Sequence, residues 1–227
     1  MNKKVTIFKK KFNTTVDECR RFCYMTRAKE FQLEALERLN SLKAESIALK
    51  EKVIAHKDED SANAMLSFEE MTNALINELN MWIALKDDNP NLAWDYLVEA
   101  QGAARSAMQC HDVASHLGDY VEHLHFLEVL LFPPQHFFSP GIIVKQHVCS
   151  ICGQDYDDCT HIKGKAYMGK MCVTKINEIV SIEEISFTPD PANKHSRIFT
   201  IGDGDVMRDT MTWRIVSDTS VKEVDSQ

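Results

Sequence analysis

Five side chains that commonly bind metal ions lie within a 24-residue stretch of this chain. In the pattern C-x2-C-x6-C-x-H-x10-C, they are Cys149, Cys152, Cys159, His161 and Cys172. Zn²⁺ takes four thiolate or imidazole ligands in a tetrahedron, and two cysteines separated by two residues can reach one ion across a tight turn. Gly153 follows the second cysteine, where a residue without a Cβ tolerates the bend of the backbone. The spacing therefore predicts a zinc site.

Five candidates compete for four positions, so one donor is left over. The expected ligands are Cys149, Cys152, Cys159 and His161. This choice rests on spacing, because Cys159 and His161 flank a single residue and can present both donors without a long ordered loop. Cys172 is the alternative fourth ligand. Four protein ligands leave no position for water, so we expect one structural Zn²⁺ per chain. The chain lacks an H-E-x-x-H pattern, and we predict no catalytic residue and no other cofactor-binding residue.

The cysteine-rich segment resembles a short module of uncharacterised bacterial proteins and of some phage prohead protease or scaffold-like proteins. The shared elements are C-x-x-C-G from Cys149, C-x-H from Cys159, Y-x-G-x-x-C from Tyr167, and the strand-like EISFTPDPA over residues 184–192. They cover about a fifth of the chain. The resemblance implies a metal-binding module that leads into a strand. Protease activity does not follow from it, because the rest of the chain shows no matching Ser/His constellation.

Composition favours a protein of the cytoplasm. A chain of 227 residues with 44% hydrophobic content can form one large domain, or a helical part and a smaller one. No apolar run reaches the ~18 residues of a membrane span, and the N-terminal residues lack the long apolar stretch that is typical of a signal peptide. We therefore expect no membrane partner. Cys19, Cys23 and Cys110 lie outside the cluster and are expected to be reduced thiols.

Charge is distributed unevenly along the chain. Residues 1–57 hold 14 Lys/Arg and 7 Asp/Glu, whereas residues 58–140 hold 2 and 14. Helices of opposite charge attract one another, which favours packing within the chain. Five lysines in the first eleven residues predict a basic N-terminal arm or strand over residues 1–14. Because the isoelectric point is about 5.6 and the lysines form no aromatic-rich basic stripe, nucleic acid is the less favoured partner.

Hydrophobic periodicity predicts a helical body over residues 15–132. Apolar residues recur near a heptad seam from Met25 to Val53, which indicates either a helical hairpin or a homo-oligomer through the helical body; we favour packing within the chain. A second helix is expected to be capped at Ser67, and a third begins at Asn89-Pro90, with asparagine as the cap and proline at the first helical position. A weak point is expected at Gly118.

The pattern changes after a proline-rich segment. Residues 133–141 read as a linker, residues 142–216 as a zinc-binding α+β module, and residues 217–227 as a flexible tail. Short strands are expected over residues 182–187, 197–201 and 211–216. The predicted fold class is α+β, mainly α. It combines a long N-terminal antiparallel helical bundle, or coiled-coil-like body, with a small C-terminal zinc module containing short strands.

Four histidines crowd one helical stretch: His111, His116, His123 and His125. His116 and His123 would share a face through Tyr120, so a second metal or an acid/base pair is conceivable, although surface or core histidines are the simpler interpretation.

Together these features favour a non-catalytic, zinc-stabilised interaction or accessory subunit of a bacterial or phage multi-protein system, antiviral defence being one such setting. The expected partner is a protein, for instance a catalytic subunit. The alternative is an enzyme, either a metal-dependent hydrolase or nuclease that uses the histidines or a prohead-protease-like protein.

Overall fold

The structure is a computed structural model, and it describes residues 2–203 and 206–216. Five α-helices form the body: α1 (Lys3–Cys19), α2 (Lys29–Ala55), α3 (Glu59–Lys86), α4 (Pro90–Cys110) and α5 (Gly118–Leu131). Short 3₁₀ turns at Arg20–Phe22 and Asp112–Leu117 connect some of them. None of the helices in the described ranges is both long enough and apolar enough to cross a membrane.

Within the described part of the chain, six strands follow the helices, in three antiparallel pairs. They are β1 (Phe137–Cys149), β2 (Ala166–Tyr167), β3 (Lys170–Met171), β4 (Thr174–Thr188), β5 (Thr200–Asp203) and β6 (Val206–Asp209). The pairs are β1 with β4, β2 with β3, and β5 with β6. A helical body followed by short antiparallel sheets confirms the predicted fold class, α+β and mainly α.

Residues 3–14 are helical, in place of the arm or strand expected over residues 1–14. Asn2 caps α1, its side chain accepting a hydrogen bond from the backbone of Lys4. Val5, Phe8 and Phe12 are buried, and their spacing forms one stripe of a helix. The two phenylalanine rings pack against Phe68 of α3, with centroid distances of 5.7 and 4.7 Å. The lysines dominated the sequence interpretation, but the apolar stripe determines the structure.

The heptad-like seam of α2 is buried inside the chain. Ala35, Leu39, Leu42 and Val53 are all at most 3% exposed. Ser46, an interruption of the seam, is also buried, because its hydroxyl donates to the carbonyl of Met65 on α3 at 3.1 Å. The apolar residues of α2 thus pack against neighbouring helices of the same chain, which was the favoured alternative to a homo-oligomer.

Helix α3 lies at the centre of the body and begins earlier than expected. Its N-terminal cap is Asp58, whose side chain accepts from the backbone of Ser61. Ser67, the expected cap, lies inside α3, and its hydroxyl donates to the carbonyl of Ala107 on α4 at 2.9 Å. The Asn89 cap of α4 is confirmed, since its side chain accepts from the backbone of Leu92.

Strands β1 and β4 form a ribbon that is longer than the sequence indicated. β1 has 13 residues and β4 has 15, and β1 begins at Phe137, within the segment expected as a linker. The expected strand over residues 211–216 is instead a turn with one isolated bridge, between Arg208 and Ile215. The tail expected at residues 217–227 lies outside the described residues.

The ribbon is attached to the helical body at both of its ends. At its open end, Phe137 packs against Trp94 of α4, with 6.0 Å between ring centroids. Nearby, Arg197 is 3% exposed and donates to Gln135 at 3.1 Å and to Asn91 of α4. At the other end, β1 runs into the cysteine-rich segment, which docks on α3. Between these ends the ribbon makes little contact with the described helices.

Candidate metal centre

The first half of the centre is a tight turn at the end of β1. The backbone N–H of Gly153 donates to the carbonyl of Cys149 at 2.9 Å, and Gly153 adopts a φ of 73°. A left-handed φ of this kind is costly for residues with a Cβ, which explains the glycine after the second cysteine. The turn carries both Cys149 and Cys152, and the N–H of Ile151 donates to the Cys149 sulfur at 3.4 Å.

The second half consists of Cys159 and His161, followed at a distance by Cys172. His161 donates its backbone N–H to the Cys159 sulfur at 3.1 Å, and its Nδ1 lies 3.4 Å from the same sulfur. Cys172 is fully buried at the end of the β2–β3 hairpin. Its N–H donates to the carbonyl of Lys165 at 2.8 Å, which closes the hairpin, and the N–H of Ser150 donates to the carbonyl of Val173 at 3.0 Å, which joins the hairpin to the first turn.

The donor atoms of Cys149, Cys152, Cys159 and His161 all lie within 4.8 Å of one another, so this cluster could hold a metal ion. Tetrahedral bonds of about 2.3 Å to sulfur and 2.0–2.1 Å to nitrogen imply sulfur–sulfur separations of about 3.8 Å and sulfur–nitrogen separations of about 3.5 Å. The Cys152–Cys159 distance of 3.6 Å fits this geometry. So does the 3.4 Å between Cys159 and the His161 ring.

Cys172 lies beside the centre, because its sulfur is 3.7 Å from that of Cys149. It does not belong to the group of four residues whose donor atoms all lie within 4.8 Å of one another. The preference for His161 as the fourth ligand stays a prediction.

The local electrostatics differ between the two turns. Burial raises the pKa of the Cys149 thiol, but hydrogen bonds from the N–H groups of Cys152 and Ile151, together with those from the Cys159 and Cys172 thiols, outweigh it and lower this pKa to about 6. Desolvation raises the pKa of Cys159 to about 11. A bound dication deprotonates the thiols that coordinate it, so a metal ion would remove this difference.

Two tyrosines hold the loop between the turns. The Tyr167 hydroxyl accepts from the N–H of Ile162, and the Tyr156 hydroxyl accepts from the N–H of Lys163, both at 2.9 Å. The ring of Tyr167 also meets the His161 ring edge-on, with 4.7 Å between centroids. This contact restricts the orientation of the imidazole.

The cysteine-rich segment docks on the N-terminal end of α3 through Asn63. The Asn63 side chain donates to the carbonyl of Ala166 at 3.1 Å and accepts from the N–H of Gly169 at 2.8 Å. Gly169 has a φ of 73°, and a Cβ there would lie 3.2 Å from side-chain atoms of Ile54 and Lys50. The hairpin tip therefore approaches the helices as closely as a glycine allows.

A second group of donors beside the centre had not been predicted. His147, Asp155 and Asp157 also lie within 4.8 Å of one another, and the His147 Nε2 is 3.3 Å from an Asp157 oxygen. Exposed acidic groups commonly gather in this way without an ion. The sequence signal was weak, because His147 and the two aspartates are eight and ten residues apart and become neighbours only when the turn folds.

The four histidines of the helical stretch do not converge on one point. His111 contacts Asp60 at 3.1 Å, and His125 lies 3.8 Å from Glu128. His116 and His123 do share a cavity of about 780 Å³, which is also lined by Tyr120 and by Glu78 of α3.

Glu78 is the polar centre of this cavity and was missed by the sequence analysis. It is 2% exposed, accepts from the Tyr120 hydroxyl at 2.8 Å, and lies 3.5 Å from the His123 Nε2. Burial and then Glu78 raise the pKa of Tyr120 well above its usual value, so the phenol stays a donor. The hydrogen bond to Glu78 raises the pKa of His123. A single glutamate in an apolar stretch gave no pattern that sequence reasoning could detect.

Comparisons with protein families, with curated proteins and with solved structures found no match for this chain.

Proposed function

We propose that this chain is a non-catalytic interaction subunit of a multi-protein system, and that one structural Zn²⁺ per chain stabilises it. The observation that carries the proposal is the composition of the metal-binding module, residues 149–173. Cys149, Gly169 and Cys172 are its fully buried residues. The module therefore lacks an apolar core of its own, and a segment of this kind is commonly held together by disulfides or a metal. In this proposal, the bound ion stabilises the module in place of an apolar core.

The donor set supports Zn²⁺ as this ion. Sulfur-rich tetrahedral sites favour zinc or iron–sulfur chemistry, whereas oxygen-rich sites favour magnesium or calcium. With four donors from the protein, the ion has no position for a reactive water, so its contribution is to folding. We propose Cys149, Cys152, Cys159 and His161 as the ligands, with Cys172 as the alternative to His161.

The first experiment measures zinc by elemental analysis of the purified protein. We expect about one equivalent per chain in the wild type and a large loss in Cys152→Ser, together with rapid proteolysis after residue 140. The helical signal in circular dichroism should be retained, because the helices have their own core. Cys110→Ser is the matched control, since Cys110 is a buried thiol of α4 outside the centre and its loss should leave the zinc content unchanged. Wild-type protein without zinc would refute the structural-ion proposal.

The interaction role rests on two further points. The protein displays a long ribbon that its own helices do not cover, and a helical body with a small metal-binding end and no catalytic signature suits an accessory subunit of a multi-protein system. A catalytic protein partner in the cytoplasm, in a setting such as antiviral defence, is the context we propose by this analogy. A pull-down from the native host, analysed by mass spectrometry, tests it. Recovery of no specific protein from cells that express the chain would contradict it.

The cavity around Glu78 favours a second candidate function, an enzyme. A carboxylate, a phenol and an imidazole that exchange hydrogen bonds in one cavity are a common arrangement for proton transfer. We expect no turnover of nucleic acid, peptide or phosphoester substrates, with or without Mg²⁺, Mn²⁺ or Zn²⁺. Turnover that Glu78→Gln and His123→Ala both abolish, and that Cys152→Ser does not, would place the enzyme ahead of the interaction subunit.

A further inference from the structure

The ribbon of β1 and β4 carries an apolar face formed by four cross-strand pairs. By the strand register, the pairs are Phe138 with Phe187, Pro140 with Ile185, Ile142 with Ile182, and Val144 with Ile179. From Phe138 to Val144, the even-numbered residues of β1 point to one side of the ribbon, and directly opposed residues share that side. The other side carries smaller or polar pairs, such as Ser139 with Ser186. The ribbon is therefore amphipathic.

The apolar face points away from the helical body at the open end of the ribbon. Phe137 is buried against Trp94, so its neighbour Phe138 must point to the opposite side. The exposed fractions are 47% for Phe138, 61% for Phe187, 55% for Ile179, 61% for Ile182 and 64% for Ile185. An isolated two-stranded ribbon is marginal in water, and this one has its apolar side in solvent.

The exposed area is large for a single chain. If a whole large side chain offers about 150–200 Å², the exposed fractions of these five residues amount to about 400–600 Å². The largest apolar patch on a typical monomer is of this size, and such patches commonly mark interaction sites. Two such faces packed together bury about twice this area. The partly exposed Ile142 and Val144 and the edges of the strands add to it. The total approaches the ~1,200 Å² at which specific interfaces begin.

We infer that the apolar face of the ribbon pairs with the same face of a second copy of this chain, around a two-fold axis near Ile142 and Ile182. This inference rests on the proposed interaction function and names the surface that it uses. Two twisted sheets pack face to face about 10 Å apart, with apolar side chains between them. A two-fold axis gives each copy an identical, self-complementary patch.

The charged residues of the ribbon leave the apolar face uninterrupted. Lys145 forms an ion pair with Glu178 of its own chain at 3.0 Å, and Glu184 is opposite Gly141, on the side away from the apolar face. A charge buried without a partner would disfavour a face-to-face contact, and none of the four apolar pairs contains one. The area of the self-complementary patch therefore supports a second copy of the chain as its occupant.

The test compares two neighbours on β4 in the zinc-loaded, full-length protein. Ile182→Glu places a charge on the apolar face, and Ser181→Glu places the same charge on the opposite face, where Ser181 is paired with Ile143. Mass is measured by light scattering across a hundredfold range of concentration. We expect a wild-type mass of about twice 25.9 kDa, a monomer for Ile182→Glu, and a dimer for Ser181→Glu. We expect the dissociation constant of Ile182→Glu to be raised at least a hundredfold.

A second variant keeps the test independent of folding. Ile182→Thr retains the branched Cβ that strands favour while adding a hydroxyl to the interface, so it should fold and weaken the dimer about tenfold or more. A wild type that stays monomeric at every concentration overturns the inference. So does equal dissociation of the Ser181 and Ile182 variants. If a monomeric wild type captures a different protein through this face, self-pairing is refuted and the proposed interaction function stands.

Discussion

Asn63 makes two hydrogen bonds that join the metal-binding module to α3, and Asn63→Ala should loosen the module without unfolding the body. The bonds are those to the carbonyl of Ala166 and from the N–H of Gly169, at 3.1 and 2.8 Å. A typical net contribution of about 0.5–1.5 kcal/mol for each bond gives a total of about 1–3 kcal/mol. If the module opens locally, this difference corresponds to roughly 5- to 150-fold faster amide exchange.

The assay is hydrogen–deuterium exchange of the zinc-loaded protein, read at the amides of Gly164 and Cys172, which are hydrogen-bonded inside the module. Amides of the buried part of α2 serve as the internal reference and should keep their exchange rates. Asn40→Ala is the matched control, because Asn40 is an exposed residue of α2 and its replacement should change stability by no more than about 0.5 kcal/mol. Unchanged exchange in Asn63→Ala, or an equal change in Asn40→Ala, would show that these bonds do not anchor the module.

Three further predictions concern the helical body and the fourth ligand. Replacing both Leu39 and Leu42 with Glu buries two unpaired carboxylates, which should cost several kcal/mol. Because the free energy of unfolding of a protein is only ~5–15 kcal/mol, the helical body should unfold. A double variant that circular dichroism shows to be folded would contradict this. Glu78 raises the pKa of His123 above 6.5, so the stability this pair provides is complete below that pH and is lost as pH rises through the raised pKa. His123→Ala should therefore lower the melting temperature more at about pH 6 than at about pH 9, and the opposite order would refute the pairing. His161→Ala should lower the zinc content more than Cys172→Ser does. The reverse result would show that Cys172, and not His161, is the fourth ligand.

The sequence predicted those features that depend on local patterns. The Asn89-Pro90 start of α4 is a one-turn signal, and the clustering of Cys149 to His161 is a spacing signal, so both could be identified without knowledge of the fold. The internal packing of α2 was also the favoured alternative, because more apolar helices followed it. The cap of α4 and the cysteine cluster needed information from no more than a few turns of chain, whereas the packing of α2 was inferred from the helices that follow it.

The features that were missed depend on distant neighbours. The first helix was overlooked because five lysines concealed the stripe of Val5, Phe8 and Phe12, whose partner Phe68 lies on another helix. Glu78 acquires its role from Tyr120, 42 residues away. The length of the ribbon was underestimated because its bulges break the alternation of β4, so that Val144 is opposite Ile179 and Gln146 is opposite Glu178.

The ribbon is attached at one end to the start of α3, through the metal-binding module and Asn63, and at the other end to Trp94 of α4, which is separated from the end of α3 by three residues. This arrangement couples the lengths of α3 and of the ribbon. A helix of 28 residues spans about 42 Å, and a strand of 13 residues spans about 43 Å. An insertion of one helical turn in α3 would move its two ends apart by about 5.4 Å. To restore the span, each strand would have to gain two residues, and this even number also keeps every side chain on its own face. A change in the length of α3 therefore requires a matching change in β1 and β4. For each helical turn that α3 gains or loses, each strand would have to gain or lose about two residues.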